Sequence, residues 1–178
     1  MTKEEIITAT QKTVDILTQT CSAADDIIFF ERPGNKWSIA QNVQHLILAT
    51  NTSALAFQLP TFIVKLIGGK PNRSSRTFDE LLAKYNKKLA DGATASSRFV
   101  PKPIEIKFGK EKLMNNWEKA TAKFITALQK NRTEQDLDNY LVKHPLLGRI
   151  TLRELCYFTI FHTEHHLNSI SKINNPSQ

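Results

Sequence analysis

TLRELCYFTIFHTEHHLNSISKI, Thr151 to Ile173, is the stretch whose reading decides the fold. It opens on Thr151 and Glu154 in the spacing of a capping box. There the threonine oxygen accepts a free backbone N–H, and the acid three residues on returns the bond. Behind the cap, Leu155, Thr159, His162, His166 and Ile170 recur at intervals of three and four, the stripe a helix turns toward its neighbours. A long amphipathic helix is expected here, reaching about Ile173. At about 100° per residue, His162 and His166 stand about 40° apart, one above the other. His165 lies about 60° from His162 and about 100° from His166, so it flanks the pair.

Imidazoles in adjacent turns of a core-facing stripe carry a desolvation cost unless something meets their ring nitrogens. A metal ion, a buried carboxylate or a water would do so. An HxxxH spacing is weakly specific, and Glu164 does not stand where a zincin places its acid. Spacing alone therefore leaves ligation and an ordinary hydrogen-bonded pair both open.

Three further capping boxes mark helix starts upstream: Thr2/Glu5, Ser38/Gln41 and Thr77/Glu80. The first predicts a helix from about Lys3 to the low twenties, with Ile6, Ile7, Val14 and Leu17 inward and Ile16 to one side. The second predicts a helix from Ser38 to about Leu59, with Ile39, Val43, Leu46, Ile47 and Leu55 inward and Pro60 ending or kinking it. A shorter helix is expected over Phe78 to Leu89, and another long one over Lys110 to Gln129. Between them Gly92 to Gly109, with Pro101 and Pro103, reads as a long loop with a short extended piece. A minor helix near Thr133 to Tyr140 leads to the turn His144-Pro145-Leu146-Leu147-Gly148. With no strand array in sight, the pattern predicts an all-α bundle of four long helices, with additional short helices and the long loop, in one domain over 1–178.

The bulk numbers agree with a globular chain: 178 residues, 40% hydrophobic and 23% charged, enough to bury a core. No apolar run approaches the ~20 residues of a membrane span, and the charged start MTKEEIITAT lacks the apolar stretch of a signal peptide. Cys21 and Cys156 lie far apart and read as reduced, semi-buried hydrophobes. A cytoplasmic protein without a membrane partner is expected. The net charge of +7 raises a nucleic-acid reading, but the bases are scattered among acids, so no nucleic-acid partner is expected. The densest acid-free run, Lys65 to Arg76, reads as a solvated mobile loop. Its Lys70, Arg73 and Arg76 are candidates for holding an anion, on charge alone.

His45 sits two turns behind the Ser38 cap, beside apolar positions. Read alone it is a hydrogen-bonded core residue rather than a ligand. Read with His162 and His166 it completes a set of three imidazoles, which suits zinc, nickel or another late first-row ion and leaves positions open.

Two blocks give the chain a resemblance. KWSIAQNVQHL, Lys36 to Leu46, is similar to a Trp-Ser…His-Leu block, and HPLLGRITLRELCYFTIFHTEHHLNSI, His144 to Ile170, to a His-Pro-x-x-Gly-x-Leu-Thr block followed by His-x-x-His-His. Together they resemble the DinB/YfiT-like superfamily of four-helix bundles over nearly the whole chain. The resemblance implies a metal triad of His45, His162 and His166, with nickel or zinc bound. It makes His165, Glu164 and Ser169 neighbours of the site, Ser169 standing where many members carry Gln. It gives His144 a turn-capping role and leaves Trp37 as a staple on the bundle. It further implies a small-molecule substrate and a homodimer. The activity would be that of a thiol S-transferase using a low-molecular-weight thiol such as bacillithiol or mycothiol, or of a metal-dependent hydrolase. Glu164 or Tyr157 would be available to assist. The alternative is a non-catalytic metal-binding or stress-response bundle whose site is structural or vestigial.

Overall fold

A computed structural model describes residues 1–174 of the chain, so the last four positions of the 1–178 span lie outside the described residues. In chain order the elements are α1 (Lys3–Ala23), α2 (Asp26–Phe30), α3 (Ile39–Gln58), α4 (Thr61–Gly68), α5 (Phe78–Ala90), α6 (Lys110–Asn131), α7 (Asp136–Asn139), β1 (Leu141–His144), β2 (Gly148–Thr151) and α8 (Leu152–Asn174). Helices α1, α8, α3 and α6 pack side by side into a four-helix bundle. All four capping boxes form. Thr2, Ser38 and Thr77 each accept from the backbone N–H three residues on, and that residue's side chain accepts from the cap. Thr151 and Glu154 exchange the same bonds at 3.0 and 3.2 Å. At its other end α3 is held by Arg132, 5% exposed, whose guanidinium donates to the carbonyls of Ala56 and Leu59. Those carbonyls have no partner within the helix.

The apolar interior divides into two clusters. One joins Ile6, Phe57, Leu81, Phe124, Leu128 and Leu155 to Phe161; the other joins Leu17, Phe29, Ile39, Val43, Leu46, Leu113 and Trp117 to Ile170. Along α8 the first cluster ends at Phe161 and the second resumes at Ile170, and along α3 the order is reversed. The two helices are therefore antiparallel, and their polar residues meet where the apolar clusters part.

Several expectations are corrected. Leu55 does not face inward but is 48% exposed, because it stands about 160° round the helix from Ile39 while Ala54 and Phe57 carry the buried face there. The strandless reading misses a hairpin: β1 and β2 pair antiparallel, with His144 opposite Gly148. The turn is permitted by Gly148 at φ 76°, where a side chain would be strained. The loop 92–109 also holds two single 3-10 turns, Ser97–Phe99 and Ile106–Phe108, with extended backbone at Val100 and Glu105 between them. Both cysteines are fully buried rather than semi-buried, and burial pushes the Cys21 thiol up to about 12. The run Lys65 to Arg76 is not a free solvated loop: it begins inside α4, and Arg73 and Arg76 close on the buried carboxylate of Glu154.

Candidate metal centre

His45 projects from α3, and His162 and His166 from adjacent turns of α8, where the helices cross between the two apolar clusters. All three are buried, and one ligand atom of each lies within 4.8 Å of the others. The Nε2 atoms of His45 and His162 are 3.0 Å apart. Two nitrogens on an ion with bonds of about 2.1 Å would stand about 3.0 Å apart at right angles and about 3.4 Å at the tetrahedral angle, so this pair is close to the spacing of neighbouring ligands. The three rings pack closely, with centroids 4.6 to 5.0 Å apart.

What sets their direction lies one layer out. His45 Nδ1 is 2.7 Å from the Phe99 carbonyl oxygen, an acceptor only, so it carries the proton and leaves Nε2 with its lone pair. His166 Nδ1 is 2.7 Å from Asn42 Oδ1. The Asn42 amide nitrogen donates to the Ser38 carbonyl at 2.8 Å, which fixes the oxygen toward the histidine. His166 therefore also keeps its lone pair on Nε2. Such carbonyl partners are what orient histidines that bind metals. His162 is held by packing, stacked on Phe158 with centroids 4.6 Å apart. Burial first, then the neighbouring imidazoles, hold His162 and His166 well below the usual histidine range. Burial also lowers His45, against the Phe99 bond. The three rings are neutral donors near pH 7, the form a divalent ion requires. The donor set fits such an ion.

The rings face a cavity of about 880 Å³ whose walls include Trp37, Tyr85, Phe99, Leu146 and Phe158. Lys36, Lys143 and Lys172 also line it, and among the described residues no Asp or Glu does. Trp37 is more than a staple: its ring is 5.0 Å from that of His45 and lies parallel to that of His166 at 6.1 Å.

The remaining candidates sort by position. His165 is exposed on α8 but borders the cavity, as does half-buried Ser169, whose hydroxyl donates to the His165 carbonyl. Glu164 is exposed and does not line the cavity. His144 caps its turn, Nδ1 accepting from the N–H groups of Leu146 and Leu147 at 3.2 Å each. Tyr157 turns away, to the chain's amino group. The fold does not bring Lys70, Arg73 and Arg76 to the histidines: none lines the cavity, and both arginines bond Glu154.

Sequence reasoning missed Asn42, the Phe99 carbonyl, Tyr85 and Phe158. Asn42 had a signal, since it sits three residues before His45 on the same face of a helix. The carbonyl had none, because a backbone group has no residue type.

A family model described as the DinB superfamily matches residues 6–170. No curated protein and no solved structure matches the chain.

Proposed function

The chain belongs to the DinB superfamily, and on that premise we propose that it is a metal-dependent enzyme in which His45, His162 and His166 hold one divalent ion, nickel or zinc. An ion on three neutral imidazoles with open positions lowers the pKa of a thiol or a water and makes it a nucleophile near neutral pH. The observation that carries this reading is the pair of Nε2 atoms 3.0 Å apart, opening on a cavity of about 880 Å³. The chain's own residues would do the rest. The Phe99 carbonyl and Asn42 keep two Nδ1 protons in place, so the Nε2 lone pairs stay inward. Trp37, Leu146 and Phe158 offer an apolar wall to the body of an electrophile and keep water from it. Lys36, Lys143 and Lys172 favour a substrate or thiol that carries a negative charge. The reaction class is S-transfer from a low-molecular-weight thiol, or hydrolysis.

Cobalt(II) substitution tests this. One ion per chain is expected, with visible absorption that gains a thiolate-to-metal band on adding cysteine or 2-mercaptoethanol. His162→Ala should abolish stoichiometric binding while the helical circular-dichroism signal persists. A wild-type chain that takes up no ion at micromolar concentrations would sink the proposal. An ion that raises the melting temperature but never responds to thiol, and whose sites exchange no water, would leave a structural metal and no enzyme.

A further inference from the structure

Helix α4 displays apolar side chains to solvent while being fixed to the body of the protein. Phe62 is 70% exposed, Leu66 83% and Ile67 57%, and Leu55 on the adjoining helix is 48% exposed. Their outward direction is set by the opposite face. Val64 is buried, and Gly68 lies so close on β1 that a Cβ there would overlap the Leu141 carbonyl. Only glycine permits that approach, and it leaves the helix no freedom to roll its apolar side inward.

The surroundings are cationic. No Asp or Glu occurs between Glu31 and Asp79, a span that carries Arg32, Lys36, Lys65, Lys70, Arg73 and Arg76. Lys65 lies on α4 beside the apolar residues, and exposed Lys70 follows its end. The hairpin under α4 places Lys143 directly opposite Arg149, both exposed, with an Arg149 nitrogen 3.8 Å from the Cβ position of Gly69. Like charges facing across a strand pair repel, and no acid of the 32–78 span is there to relieve them. A short helix with Phe, Leu and Ile outward and a basic border is the chemistry of an interfacial anchor.

We propose that this face, Phe62, Leu66 and Ile67 ringed by Lys65, Lys70 and Arg149, docks on an anionic lipid surface. A second copy of the chain fits it less well, since a twofold contact would set Lys65 and Lys70 near their own counterparts with no acid between. The expectation of no membrane partner rested on the lack of a span, and among the described residues no single helix is long and apolar enough to cross a membrane. This surface lies on the lipid without crossing it. The inference does not depend on the metal.

The test is co-sedimentation of the full chain with vesicles of phosphatidylglycerol and phosphatidylcholine in equal parts, against phosphatidylcholine alone. Wild type should partition at least tenfold better onto the anionic vesicles and lose that advantage in high salt. Leu66→Asp and the pair Lys65→Glu/Arg149→Glu should each lower partition at least tenfold, with unchanged circular dichroism and cobalt stoichiometry. Equal partition onto neutral vesicles, or no loss in these variants, overturns the proposal. So does a stable dimer, by sedimentation equilibrium, that Leu66→Asp dissociates and that ignores vesicles. That result would assign the face to a second copy.

Discussion

At its start α8 buries the carboxylate of Glu154; two turns later it buries the imidazoles of His162 and His166. The carboxylate is 0% exposed and meets five donors: both terminal nitrogens of Arg73, one of Arg76, and the backbone N–H groups of Arg76 and Thr151. Burial alone would raise its pKa, but Arg73 and the N–H groups outweigh burial and hold it below the usual range. The histidine cluster is nearly as deep, yet only the outer nitrogens of His45 and His166 are bonded, while the inner ones converge on each other and on open space. A buried polar group that has found all its partners is architecture; one whose ligand atoms converge beside an open cavity is built for something that arrives later.

Arg73→Ala attacks the closed cluster and has the largest expected effect. It removes the bidentate partner of a buried charge, and about 3 kcal/mol of stability should go with it in urea unfolding. Cobalt stoichiometry should not change; if it does, the two ends of α8 are one cluster and the contrast fails. Asn42→Ala loosens the open cluster instead. Losing the partner of His166 should weaken metal binding about 10–100-fold in a competition titration, and the unpaired buried N–H should cost about 1–2 kcal/mol of stability in chelator, less than Arg73→Ala. An unchanged affinity would mean that Asn42 only tidies the apo protein.

The smallest effect belongs to His144, between the two. Burial first, with Lys84 adding to it, lowers its pKa from 6.5 to about 4. The folded state then binds that proton later than the unfolded state does. Its contribution is full above pH 6.5 and is lost as pH falls toward 4. Between pH 7 and 5.5 wild type should lose about 1 kcal/mol more than His144→Asn, read from paired denaturation curves. Parallel pH profiles would place His144 in water.

The legible parts of this molecule are local. Four capping boxes and the HxxxH pair are patterns of three or four residues, and each forms as its spacing requires. Strands of four residues are too short for alternation to register, so the hairpin passed unseen. Helix α2 has five residues and hangs on the single Asp25 cap, and α4 follows a proline that reads as an ending. The Arg73–Glu154 pair spans 81 positions, and the Phe99 carbonyl reaches His45 across 54. No spacing rule links residues that only the folded chain brings together.

The two tryptophans give the molecule a built-in optical gauge. Trp117 is wholly buried and donates its indole N–H to Thr18, while Trp37 lies parallel to His166 at the wall of the cavity. A paramagnetic ion at the histidines would darken the second chromophore far more than the first, and a cavity ligand would shield it from acrylamide. The ratio of quenchable to protected emission thus reports occupancy of the site from inside one chain, with no label attached.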